Sequence, residues 1–113
     1  MPWQVEVTDE YEAWFLEQIE NGQAAIRMKV ELLIEYGPHL ARPHADTLKG
    51  SKLSNLKELR AQTGNNVYRV LFIFDEDRKA VLLIGGDKKG KNKEQFYRNL
   101  IKKAEDIYKT YHN

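Results

Sequence analysis

The stretch Leu56–Gly85, LKELRAQTGNNVYRVLFIFDEDRKAVLLIG, decides the fold. In its first part Leu56, Glu58 and Arg60 share one face of an extended segment, and Lys57, Leu59 and Ala61 take the other. Thr63-Gly64-Asn65-Asn66 is a hairpin-turn signal, because Gly and Asn tolerate the positive φ that tight turns demand. Val67 to Phe74 (VYRVLFIF) is dense in β-branched and aromatic residues and reads as a central strand. Asp75 to Lys79 is a second turn, and Ala80 to Gly85 (AVLLIG) is a third, largely buried strand. Strands joined by such short turns form an antiparallel meander.

Upstream of the meander, Trp3 to Val7 alternates apolar and polar and reads as a short half-buried strand. Thr8 or Asp9 then caps a helix, with Asp9 and Glu12 as a capping pair. Tyr11, Trp14, Phe15 and Ile19 give it an apolar face to about Glu20, where Asn21-Gly22 breaks it. A second helix carries the stripe Ile26, Val30, Leu33 and Ile34 and stops at Gly37-Pro38. Helices joined this tightly form an antiparallel hairpin. His39 to Ser54 reads as a loop with one helical turn at Ala45 to Leu48.

Downstream, Gly86 to Lys91 is a flexible basic loop, and Asn92 caps a last helix with the stripe Phe96, Leu100, Ala104, Ile107 and Tyr111. The predicted order is β-α-α-β-β-β-α, an α+β fold in one domain spanning residues 1–113. The helix hairpin covers the inward face of the meander. The opposite face carries Arg69 and is where a ligand can sit.

The chain has 113 residues, enough for one hydrophobic core. Apolar residues make up 42% and charged residues 31%, a globular balance. Cysteine is absent, which excludes disulfides, thiolate catalysis and Cys-based zinc sites. No apolar run approaches a membrane span, and the acidic start (Glu6, Asp9, Glu10, Glu12) is unlike a signal peptide. A cytoplasmic protein with no membrane partner is the expectation. His39, His44 and His112 stand at no metal-ligand spacing and read as solvated polar residues, so neither a metal nor a cofactor is expected.

The net charge of +1 hides a partition. Residues 1–48 carry three cations against nine anions, a net −6, whereas residues 49–103 carry fourteen cations against six anions, a net +8. The last ten residues contribute −1. Such asymmetry points to a polyanion on the basic part. Within it, Arg60 and Arg69 fall within cross-strand reach around the hairpin turn. Lys88, Lys89, Lys91 and Lys93 follow the third strand, and Tyr97 lies one turn into the helix behind them. Paired guanidinium forks suit phosphate, and clustered cations beside an aromatic suit an oligonucleotide backbone. The residues leave a second reading open, in which Arg60 merely pairs with Glu58 or an acidic turn residue and the lysines form a solvated loop.

Four short motifs in order narrow this. Leu56-Lys57-Glu58-Leu59-Arg60, Tyr68-Arg69-Val70-Leu71-Phe72, Gly86-Asp87-Lys88-Lys89-Gly90, and Phe96-Tyr97 with Ala104 and Tyr108 resemble the RelE/ParE toxin superfamily, most of all its phage-derived HigB-like toxins. That resemblance covers Leu48 to Tyr111, with the helix hairpin fitting the same architecture. It implies the toxin of a type II toxin–antitoxin system, a ribosome-dependent endoribonuclease (mRNA interferase) that cuts mRNA by metal-independent 2′-hydroxyl attack. It further implies Arg60 and Arg69 on the scissile phosphate, Lys91 on the developing charge or the leaving 5′-oxygen, and Tyr97 stacking on or orienting a base. Lys57, Lys88, Lys89 and Lys93 are then RNA-binding residues. Several RelE members have lysine where this chain has Glu58, and other HigB proteins use site histidines, so the general base is Glu58 or Lys57. The implied partners are a HigA-like helix-turn-helix antitoxin, the ribosome and mRNA. A ParE-like gyrase poison without hydrolysis, or a non-catalytic binding module, are the alternatives.

Overall fold

A computed structural model describes residues 2–112. The meander is present as β3 (Lys57–Thr63), β4 (Asn66–Phe74) and β5 (Lys79–Asp87), paired antiparallel throughout. Thr63 faces Asn66 across the first turn, and Gly64 supplies its left-handed residue at φ +54°. Two short strands flank the meander. β1 (Gln4–Val7) runs parallel to β5, and β2 (Ala45–Thr47) runs antiparallel to β3, so the sheet is five-stranded in the order β1-β5-β4-β3-β2. The predicted order holds, with β2 added to it. The helical turn expected at Ala45 to Leu48 is this strand instead. Arg60 N donates to His44 O and Leu48 N to Leu56 O, so β3 satisfies the backbone of the segment.

Three helices cross this sheet: α1 (Asp9–Leu16), α2 (Glu20–Tyr36) and α3 (Lys93–His112). Thr8 is the N-cap of α1, its Oγ1 accepting from Tyr11 N. The first helix ends at Leu16 rather than near Glu20, and Asn21-Gly22 is not the break. Both residues lie in the first turn of α2. The turn between the helices is stitched by the Gln23 side-chain amide, which donates to Phe15 O and Gln18 O. Gly22 serves packing: a Cβ there would collide with the Tyr68 hydroxyl, so only glycine lets α2 close on the sheet. Gly37 ends α2 at φ +55° as expected.

The helices lie on both faces of the sheet, which corrects the expectation of an open polar face opposite the hairpin. On one face α1 packs on β5 and α2 on β3, burying Tyr11, Ile26, Leu33, Tyr68, Phe72 and Leu82. On the other, α3 brings Phe96, Leu100, Ile101 and Ala104 onto Leu56, Leu71, Val81 and Leu83. A register shift places Leu71 opposite Ile84 but Phe72 opposite Leu82, so Leu83 is an extra residue in β5. Leu83 and Ile84 both reach the α3 side through this bulge. Thr8 accommodates it, donating its amide to Leu82 O and its hydroxyl to Leu83 O.

Candidate functional site

The apolar layer under α3 stops where β3 and β4 carry Glu58, Arg60 and Arg69 on the same face. Arg60 and Arg69 are direct cross-strand partners, so the pleat holds both side chains together. Between them sits Glu58, only 1% exposed although ionisable. Its Oε2 accepts from Arg60 Nε at 2.9 Å, and its Oε1 accepts from the Tyr97 hydroxyl at 2.7 Å and lies 3.6 Å from Arg69 Nε. Arg69 Nε in turn donates to the Tyr97 oxygen at 3.0 Å, and its Nη1 donates to Tyr68 O. A buried carboxylate is tolerated only when its lone pairs are met in this way. The two hairpin strands and the first turn of α3 are thereby locked to one another.

The pairing of Arg60 with Glu58 is therefore real, yet it does not use up the guanidiniums. Each spends its Nε on the network, and Arg60 Nη2 adds a weaker contact to Asp46 of β2 at 3.4 Å. Both arginines then line an open cleft of about 370 Å³ together with Lys29, Pro43 and Gln62. Burial acts against the Arg60 charge, but Glu58, Tyr97 and Asp46 outweigh it and raise its pKa. Burial, reinforced by the Glu58 carboxylate, raises that of Tyr97, so its phenol stays protonated at neutral pH.

Of the loop lysines, Lys88 joins this cluster. It is half-buried, its Nζ stands 5.8 Å from the centre of the Tyr97 ring, and burial together with Arg69, Lys93 and Arg60 lowers its pKa. Lys91 does not join it. Its Nζ lies over Phe96, and it lines a separate cleft with Trp14, Gly86 and Lys103. Lys57 occupies the opposite face from Glu58 and donates to Thr47 Oγ1. Lys89 and Lys93 are exposed. The base of the loop is anchored by Asp87, which accepts from Asn66 Nδ2 and from the amides of Val67 and Lys89. Burial opposes ionisation there, but these donors win and lower the Asp87 pKa.

Two residues that sequence reading missed contact the lining of the Arg60–Arg69 cleft. His44, expected to be solvated, is half-buried, and its Nδ1 lies 2.7 Å from Lys29 Nζ. Asp46 joins Arg42 and Arg60. Both missed residues lie in or next to β2, whose three residues carry too weak a pattern to be read as a strand. The His112 side chain lies outside the described part. Among the described residues no group of three or more His, Asp or Glu could hold a metal ion, and no helix is long and apolar enough to cross a membrane.

The architecture is that of RelE toxins. E. coli RelE, solved as an arginine-to-alanine double mutant in the free state, superposes with a TM-score of 0.61 at 11% identity over 90% of this chain and 97% of its own. The RelE–RelB complex of Pyrococcus horikoshii OT3 gives 0.59 at 19% identity, covering 81% of this chain and 100% of that chain. RelBE2 of Mycobacterium tuberculosis, a toxin–antitoxin complex, gives 0.58 at 18%, covering 77% of this chain and 99% of that chain. Residues 13–109 match the family described as phage derived protein Gp49-like (DUF891). HigB3 of Mycobacterium tuberculosis, named as a toxin, is 41% identical over 90 residues, which are 80% of this chain and 76% of HigB3. HigB2 of the same organism, also named as a toxin, is 41% identical over 80 residues, 70% of this chain but only 39% of HigB2. The chain belongs to the phage-derived Gp49-like family and is a toxin of the RelE/HigB type of toxin–antitoxin system.

Proposed function

We propose that this toxin is a ribosome-dependent endoribonuclease that cleaves mRNA and so stops translation. The observation that carries the reading is the buried Glu58 holding Arg60, Arg69 and Tyr97 in one network, with both guanidiniums lining an open cleft. RNA cleavage by the 2′-hydroxyl concentrates negative charge on the phosphate, and cations fixed in advance stabilise it without reorganisation. The 2′-oxygen attacks phosphorus and the bond to the 5′-oxygen breaks, leaving a 2′,3′-cyclic phosphate and a 5′-hydroxyl. Arg60 and Arg69 hold the scissile phosphate. Tyr97 orients a base, its hydroxyl tied to Glu58 and Arg69.

Both Glu58 oxygens are engaged and Lys57 faces away, so neither suits the role of general base. Lys88, whose charged form is disfavoured in this setting, is the group matched to proton transfer. It replaces Lys91 beside the phosphate, Lys91 being held over Phe96. Acting in the cytoplasm, the toxin has the ribosome and mRNA as targets and a HigA-like helix-turn-helix antitoxin as its inhibitor.

The test is expression of the toxin without an antitoxin, with pulse labelling of protein and DNA synthesis and mapping of mRNA 5′ ends. Early arrest of protein synthesis with new 5′-hydroxyl ends is the expected result, lost in Arg69→Ala. DNA damage preceding translation arrest would instead select the gyrase poison.

A further inference from the structure

Beyond the phosphate cleft, a second groove of about 490 Å³ runs along α3 and is unaccounted for by the Glu58 network. One wall is the helix face bearing Tyr97, Arg98, Ile101 and Lys102, and the other is the loop bearing Lys49 and Lys52. This loop is built onto the helix. Glu105 Oε2 accepts from Ser51 Oγ at 3.0 Å and from Lys52 N at 2.7 Å, and Ser51 Oγ also accepts from Leu53 N. Gly50, at φ +85°, permits the turn, while Leu48 and Leu53 pack against the apolar layer beneath α3. The segment bearing the lysines is thus held against α3 by two hydrogen bonds to Glu105 and by the packing of Leu48 and Leu53 rather than left as a free loop.

The charge balance of the groove is uneven. Glu94 and Glu105 also line it, but the Glu105 carboxylate is already engaged by the loop. Among the described residues Lys49, Lys52 and Arg98 form no ion pair, and Lys102 makes only an exposed pair with Asp106. An exposed pair of that kind is readily surrendered to a stronger anion. Arg98 and Lys102 stand one helical turn apart, about 6 Å along the axis. The walls therefore offer cations in series rather than a single point charge.

Tyr97 links the two places, lining the groove and bonding to Arg69, which lines the cleft. Its hydroxyl is fixed by Glu58 and Arg69, and its ring forms part of the groove wall beside Ile101. We propose that this groove is a second RNA-backbone site, which carries the strand onward from the Arg60–Arg69 cleft past Tyr97 to Lys49, Lys52, Arg98 and Lys102. The proposal rests on the nuclease reading and extends it to the strand flanking the scissile bond. A stacking ring between two cationic stretches matches single-stranded nucleic acid. An acidic protein segment would share the charge attraction but has no use for the shared aromatic wall.

Fluorescence anisotropy over a series of salt concentrations tests this with two non-cleavable 2′-O-methyl RNAs, of three and eight nucleotides. The wild-type toxin is expected to bind the longer RNA about tenfold or more tightly than the shorter. In K49Q/R98Q that advantage disappears, and the slope of log affinity against log salt for the longer RNA flattens by about 1.4, two phosphate contacts at about 0.7 each. Should that variant fail to fold, K52Q/K102Q reads the same groove from its other positions. Wild-type affinity and slope retained in a folded variant overturn the proposal. So does tight, variant-sensitive binding of an octaglutamate peptide with no length dependence for RNA, which would give the groove to an acidic protein segment. Failure of the nuclease reading is seen separately, as the absence of new mRNA 5′-hydroxyl ends when the wild-type toxin is expressed without an antitoxin.

Discussion

The two faces of the central meander are made from the same three strands and differ in what they bury. Toward α1 and α2, alternate residues of β3, β4 and β5 (Leu59, Val70, Phe72, Leu82) join Tyr11, Ile26 and Leu33 in a layer without a buried charge. Toward α3, the other set begins in the same way with Leu56, Leu71, Val81 and Leu83, then gives way to Glu58, Arg60 and Arg69. A pair of helices covers the first face. A single helix covers the second, so its far end is left for polar groups that must satisfy one another. The larger apolar layer lies on the hairpin face and the candidate site at the end of the other, where the buried Glu58 ties β3, β4 and α3 together.

The largest expected effect breaks the first face. Phe72→Ala removes a fully buried ring and should lower unfolding free energy by about 3–5 kcal/mol in a urea titration, with activity per folded molecule retained. Glu58→Ala should cost about 3 kcal/mol, since it strands two guanidiniums and a phenol, and should abolish mRNA cleavage as well. Equal stability of Glu58→Ala and wild type would show that the second face holds together without its carboxylate. Arg69→Ala should leave the apolar layers intact while lowering the single-turnover cleavage rate on programmed ribosomes by about 10²–10³-fold. Thr8→Ala removes both the α1 cap and the hydroxyl that serves the β5 bulge, at about 1–2 kcal/mol by the same urea titration.

The last effect appears only at alkaline pH, in the tyrosines of the two faces. Burial pushes the Tyr11 phenol up to about 12, and burial with Glu58 raises Tyr97. Unfolded tyrosine titrates near 10, so the folded state holds these protons longer. Their stabilising contribution is complete below about pH 10 and is lost as pH rises through the raised folded-state values, about 12 for Tyr11. Denaturation midpoints falling over that window, together with delayed tyrosinate absorbance, would confirm it. Midpoints independent of pH there would count against burial of both phenols.

Much of this molecule was legible from its residues one stretch at a time. The meander, its two turns, the Thr8 cap and the Gly37 stop all depend on neighbours a few residues away. The pairing of Arg60 with Arg69 follows from turn length and strand period alone. Misreadings arose where a local signal had a distant cause. Gly22 looks like a helix breaker but is required by Tyr68, and the few residues of β2 form a strand only because β3 supplies their partners. Lys88 and Lys91 look equivalent in sequence. Asp87 and the start of α3 send one to Tyr97 and the other over Phe96.

By itself, then, the sequence determined the element order, the antiparallel meander and the concentration of cations between residues 49 and 103, because periodicity, turn chemistry and charge are local properties. Tertiary structure alone decided that α3 covers the second face and that Glu58 is buried. It also decided that Tyr97, thirty-nine residues further along the chain, completes the network. An acidic residue in an amphipathic strand carries no mark of burial. It becomes buried only when two arginines and a phenol arrive to satisfy both of its oxygens, and that meeting is set by packing between elements.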